Sequence, residues 1–287
     1  MRNSKFFFLL VLVLSTAVFA AGCSAIQTND KSEQLPDGLY FMKWDAYHGY
    51  FADEEPHIQL SLMEVGRDRK QKDTSQSLPR YVLLSDQGEI FAGCTGFTPI
   101  SKSQRYTVDH LGLTLPKMTP GKYVIDRLRI EESNNQEKTY PIGRWVIDIR
   151  EGSQPADLKQ GKCTLGSSCF DWYVAELTNG SKNDVDSVRL DFQLESDSYK
   201  TVLKTFTDFK MQTRLDDMPC LSPGETKAFL FEFIGWGKNE HPPKFISIRP
   251  FLSYVDGNQS KLMTLPAAVY EPSSEEILHL VQDMQTP

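Results

Sequence analysis

The chain of 287 residues has no cluster of basic residues, few histidines and few cysteines, and each shortage removes a class of function. Binding a nucleic acid takes Lys and Arg gathered on one surface to neutralise phosphates. The densest basic stretch here, Arg67-Asp68-Arg69-Lys70, is broken by an acid and runs into the polar residues 71–77, while the net charge is −7. No nucleic-acid partner is expected. The five histidines, His48, His57, His110, His241 and His279, are scattered along the chain. No Gly-x-Ser-x-Gly elbow, Ser-x-x-Lys pair, His-Glu-x-x-His pair or phosphate-binding glycine loop occurs. The sequence therefore reads as a non-enzyme with no cofactor.

Cysteine is also sparse. Apart from Cys23 there are Cys94, Cys163, Cys169 and Cys220, an even number that suits a compartment where disulfides persist. Three pairings are possible, and four reduced, buried thiols are the alternative. A zinc site is disfavoured, because Cys163 and Cys169 have five residues between them and no histidine near them.

What is present is concentrated at the N-terminus. Arg2 and Lys5 begin the chain, residues 6–19 are almost wholly apolar, and Ala20-Ala21-Gly22-Cys23 puts small residues before a cysteine. The apolar run is short for a membrane span, and small residues suit cleavage. The segment resembles the bacterial lipobox signal, with Ala20 where a larger aliphatic residue is usual. That resemblance implies cleavage after residue 22 and lipidation of Cys23 by diacylglycerol and a further acyl chain such as palmitate. The protein would then be held on a membrane outside the cytoplasm. With Ser24 next, the resemblance implies the outer membrane in a Gram-negative cell, or the outer face of the cell membrane in a Gram-positive one.

Residues 23–35 are polar and aperiodic and read as a tether. Beyond them strands are expected. Ile58, Leu60 and Leu62 alternate with polar residues, as do Trp145, Ile147 and Ile149 with Val146, Asp148 and Arg150, which gives each run one buried and one solvated face. Pro120-Gly121 marks a turn before the apolar stretch 123–130. Residues 152–168 are poor in apolar side chains and read as a linker. After it, Asn179-Gly180-Ser181 and Ser222-Pro223-Gly224-Glu225 mark turns, and Phe229, Phe231 and Phe233 form a period-two aromatic stripe suited to a sandwich core. This order of strands and turns resembles the immunoglobulin-like domains of bacterial extracytoplasmic lipoproteins. The fold class expected is all-β: two immunoglobulin-like β-sandwich domains in tandem, 36–151 and 169–287, with a short C-terminal helix. In that helix Ile277, Leu278 and Val281 would share one side, placed against the second domain.

One polar constellation is dense, comprising Asp45, His48, Asp53, Glu54, Glu55 and His57. Its functional reading is a divalent-metal or acid/base site. Adjacent carboxylates seldom converge on a metal without a defined loop such as an EF-hand, so an exposed acidic loop between the first two strands is expected, and no metal. For partner binding the candidate is the loop after the phenylalanine stripe, where Trp236 stands between two glycines with Lys238 and His241 on its rim. Its alternative role is a cap on its own core. The functional expectation is a membrane-anchored, non-catalytic binding or assembly module of the cell envelope, with another envelope protein or a polymer as partner. The alternative is an envelope enzyme or metal-binding protein whose site forms only in three dimensions.

Overall fold

A computed structural model of the chain describes residues 35–66, 79–103, 105–134, 136–165, 172–194, 200–215, 220–234 and 245–283. The first half supplies β1 (Gly38–Phe41), β2 (Trp44–Phe51), β3 (His57–Val65), β4 (Arg80–Ser85), β5 (Gly88–Lys102), β6 (Tyr106–Thr114), β7 (Gly121–Glu131) and β8 (Glu137–Arg150). The second supplies β9 (Leu158–Leu165), β10 (Trp172–Asn179), β11 (Val185–Asp191), β12 (Lys200–Phe206), β13 (Arg214–Leu215) and β14 (Thr226–Ile234). After these come β15 (Phe245–Arg249), β16 (Phe251–Asp256), β17 (Gln259–Thr264), β18 (Ala268–Tyr270) and the helix α1 (Ser274–Asp283). The protein is almost wholly β, and among the described residues no helix is long and apolar enough to cross a membrane.

Three sheets organise these strands. A ten-stranded sheet runs β1-β3-β6-β5-β4-β7-β8-β2-β15-β18; a second runs β13-β12-β14-β10-β9; a third is β11-β16-β17. The long β5 bends the first sheet, pairing β4 through residues 88–92 and β6 through residues 93–102. Its two bulges, beside Cys94 and beside Pro99, supply the local kink that such a turn needs.

The tandem layout expected from the sequence is corrected here. β2 pairs in parallel with β8 on one side and with β15 on the other, so Trp44 stands opposite Gly143 and Phe245. β15 and β18, from the stretch assigned to a second domain, thus complete the sheet of the first, and the expected linker 152–168 contains β9. The chain from Pro36 to Pro287 is one compact unit. The reason lies in β2: a strand with parallel neighbours and both faces covered carries no alternation, and all eight of its residues are buried.

The second face of that sheet belongs to the second core. Tyr47, Phe51, Val146, Ile246 and Ile248 pack into one apolar cluster with Tyr173, Leu177, Leu252 and the stripe Phe229, Phe231 and Phe233. Val146 and Asp148, expected on a solvated face, are therefore buried. The stripe is core, as expected, and truncating one such phenylalanine costs about 3–5 kcal/mol. Two glycines make the packing possible. A Cβ on Gly143, at φ +83°, would lie 2.1 Å from the Trp44 carbonyl oxygen, and one on Gly49 would lie 2.4 Å from the Phe251 ring.

Local chemistry fixes the turns and the helix start. Asn179 is fully buried, donates through Nδ2 to the Asn183 and Leu221 carbonyls and accepts from the Ser181 amide, so the Asn-Gly-Ser turn is tied to the next strand. Ser273 caps α1 reciprocally with Glu276, whose carboxylate accepts from the Ser273 amide at 2.8 Å. Ile277 and Val281 are buried on one side of the helix, with Leu278 half-buried. Glu271, just before the helix, accepts from Ser61 Oγ at 3.0 Å and pairs with His110 at 2.9 Å, so this segment meets β3 and β6 of the first half.

Candidate functional site

The residues that concentrate chemistry lie where β2, β15 and β18 meet the face of β3 and β6 bearing His57, Gln59 and Gly112. In the parallel register Ser247 is opposite Ala46, two residues from His48 and so on the same face as the histidine ring. His48 Nε2 and Ser247 Oγ are 2.7 Å apart, and both residues are buried. The Tyr50 hydroxyl donates its single proton to the His57 carbonyl at 2.7 Å and accepts from the His57 amide at 3.0 Å. At the His48 Nδ1 contact of 3.3 Å Tyr50 is therefore an acceptor, so Nδ1 carries the ring proton. Nε2 is then the acceptor for Ser247.

This arrangement has the outline of a nucleophile and its base but not the basicity. Burial, and secondly the Arg249 guanidinium, push the His48 pKa down to about 3. A general base working near neutral pH needs a pKa near neutral. The group that orients His48 is a phenol and not a carboxylate, and the one opposing influence, a backbone hydrogen bond to His57, is outweighed by burial and Arg249. The pair is suited to holding a shape.

Around it is a cavity of about 270 Å³. Trp44, His48, His57, Gln59, Thr95 and Ser247 supply its polar wall, and Ile58, Leu113, Ala267 and Val269 its apolar wall. Gly112 lines it too, and a Cβ there would meet Thr95 Oγ1 at 2.3 Å. Trp44 is held by ring contacts with Trp145 and Phe245 at 5.5 and 5.1 Å between centroids. Its buried indole Nε1–H has no partner among the described residues. Outside the cavity, Gln59 bonds His110, which pairs in turn with Glu271.

A shallower basin of about 650 Å³ adjoins the cavity at His57 and Ala267, with Tyr50, Asp53, Glu54, Glu55, Lys117 and Arg249 on its walls. Arg249 organises it by donating to the Gly49 carbonyl at 2.8 Å and to Glu54 at 2.8 Å while lying 4.1 Å from the Tyr50 ring centroid.

The expected acidic loop is thus corrected in part. The constellation does not form one exposed loop, since Asp45 and His48 are buried in β2, with Asp45 on the opposite face from His48; only 52–56 is loop. Glu54 is committed to Arg249. Among the described residues no group of three His, Cys, Asp or Glu side chains is placed to hold a metal ion. Cys94, Cys163 and Cys220 are free thiols, with Cys163 Sγ 3.3 Å from the Tyr173 hydroxyl. Cys23, Cys169 and the candidate partner residues Trp236, Lys238 and His241 lie outside the described residues. Sequence reasoning missed Ser247, which stands 199 positions from His48. The one available signal was a serine between isoleucines in Phe245-Ile246-Ser247-Ile248.

A different feature is exposed. Phe91, Phe97 and Ile100 are 53%, 55% and 39% accessible, and all three belong to β5. From residue 93 onward β5 has β6 on one side and, among the described residues, no strand on the other.

No protein-family model matches the chain, and no curated protein matches it. Among solved structures, a protein of unknown function from Porphyromonas gingivalis W83 is 11% identical, with 81% of this chain and 99% of that one covered and a TM-score of 0.20. The secreted serine protease VesC from Vibrio cholerae is 10% identical, with 86% and 53% covered and a TM-score of 0.23. The I9-I11 tandem from titin is 11% identical, with 82% and 66% covered and a TM-score of 0.20. None of the three superposes on this fold well enough to carry an argument about it.

Proposed function

We propose that this protein is a lipid-anchored, non-catalytic binding module of the bacterial cell envelope, tethered through Cys23 and recognising an envelope protein through β5. The single observation that supports partner binding is the grouping of Phe91, Phe97 and Ile100 on one strand. Large apolar side chains exposed together are uncommon on a surface with no partner. Recognition is by side chains more than by strand addition, because Pro99, Lys102 and the two bulges blunt the free edge. The sandwich built by β9, β10, β12 and β14 against β11, β16 and β17 is read as immunoglobulin-like, serving as the rigid support.

The alternative, an envelope enzyme, draws on the Ser247–His48 contact alone. A base held near pKa 3 argues against it. The test is a photo-crosslinking residue at position 97 in cells that carry the lipidated protein. A discrete protein adduct, lost in a Phe91→Ser/Ile100→Ser variant whose melting temperature is unchanged, is the expected result. Adducts with polymer only, or an adduct indifferent to both substitutions, would overturn the reading.

A further inference from the structure

We infer that the protein met through β5 is a second copy of this chain, the two β5 strands lying antiparallel across a two-fold axis near Phe97; this rests on the reading of β5 as a binding strand and names its partner.

The register shows what β5 leaves uncovered. Residues opposite each other in a ladder share a face. Cys94 stands opposite Leu113 and Phe97 opposite Leu111, and both leucines are buried. The apolar face of the first core thus continues outward onto β5, where every residue from 93 to 100 is exposed. An apolar face left open beside a core is a surface that a partner covers.

Charge selects the second copy as that partner. Residues 90–101 contain no Asp, Glu, Lys, Arg or His, although 24% of the chain is charged. Two copies of net charge −7 repel one another, and contact is least opposed where no charge sits. A two-fold contact sets each residue at the axis against itself. Phe97 is the midpoint of 93–101, so an antiparallel arrangement brings ring to ring, a favourable aromatic pair, and sends the two Lys102 side chains to opposite ends. The strands pack through side chains and do not extend the ladder, as Pro99 and the bulges require.

The position of β5 relative to the anchor points the same way. Gly38 is opposite Val65, Val65 is opposite Tyr106, and Lys102 is opposite the next residue, Thr107. The end of β5 therefore lies three strands, about 14 Å, from the point where the chain enters the sheet. Residues 23–34 precede the buried Leu35, and twelve residues span at most about 40 Å. With Cys23 lipidated, β5 stays close to the membrane, and a second copy anchored alike holds its own β5 in the same range of heights. Contact through one strand is small for a stable interface, and confinement to one membrane supplies the effective concentration that offsets this.

The experiment uses cells that carry two full-length, lipidated forms distinguished by their C-terminal epitope tags, one of them with a photo-crosslinking residue at position 100. Expected is an adduct of twice the chain mass that carries both tags. Phe97→Asp in both forms should lower its yield about tenfold or more, since two carboxylates then meet at the axis. Phe97→Asp in one form with Phe97→Lys in the other should restore it, which neither a folding defect nor a different partner would do. A discrete adduct with another protein, carrying one tag, would overturn the second copy while leaving β5 a binding strand. Absence of any protein adduct would overturn both. A two-tag adduct indifferent to Phe97→Asp in both forms would overturn the two-fold contact at Phe97. The tags on the adduct of the unsubstituted forms decide between partners even if a charged variant fails to fold.

Discussion

Acidification tests the buried histidine directly. Folded His48 titrates near 3, against 6.5 for the free side chain, so the unfolded chain takes up a proton in that window and the folded chain does not. The sign follows: His48's contribution to stability is complete above about pH 6.5 and is lost progressively as pH falls toward 3. At pH 4.5, two pH units below the unfolded value and still above the folded one, the loss is about 3 kcal/mol, from roughly 1.4 kcal/mol per unit. Urea unfolding followed by tryptophan fluorescence at pH 7.5 and pH 4.5, for the wild type and for His48→Gln, isolates this term, because the carboxylates are common to both. The variant is expected to be less stable at pH 7.5, having exchanged a ring packed on Trp145 for an amide, but its stability should fall less on acidification by about 3 kcal/mol. The same pH dependence in both proteins would refute the buried, neutral His48 and with it the tautomer assigned to the Ser247 contact.

Other perturbations probe the supports of the site and the anchor. Gly143→Ala sets a Cβ against the Trp44 backbone at positive φ and should cost about 3 kcal/mol or more in chemical denaturation, whereas Gly88→Ala, with nothing within 4 Å, should cost only about 1–2 kcal/mol of backbone strain. Arg249→Met removes the contacts to Gly49 and Glu54; at these partly buried positions a loss of about 2 kcal/mol is expected. The same change removes a positive charge near His48, so its ring should titrate at higher pH by NMR. Cys23→Ser should abolish acylation and release the protein from the membrane fraction; unchanged fractionation would sink the lipid anchor.

The legible parts of the fold are those where local pattern and tertiary environment agree. The phenylalanine stripe, the alternation in β3 and the Ser-x-x-Glu helix start each face one environment, and each was readable. β2 was not. Trp44-Asp45-Ala46-Tyr47-His48-Gly49-Tyr50-Phe51 mixes charged, aromatic and small residues without a period, since its two faces meet two different cores and its two neighbours are parallel. The tandem layout failed for the same reason: β15 joins β2 across about 200 residues, and a poorly apolar stretch between them looked like a linker.

The cavity owes its existence to that long-range pairing. His48, Ser247 and Trp44 are unremarkable apart, and only the parallel register of β15 on β2 places a serine beside the histidine. The same pairing sets Phe245 against Trp44 and fixes the indole where its N–H is buried. A disruption of β15 should therefore act on both properties at once, lowering stability and freeing the Trp44 N–H to water. Ser247→Ala separates them: it removes the hydroxyl that His48 accepts from but leaves the strand and the indole in place. Its expected cost is about 1–2 kcal/mol, the penalty for leaving a buried acceptor unpaired. Unchanged stability of this variant in urea unfolding would mean that the serine hydroxyl is not what pairs His48 Nε2.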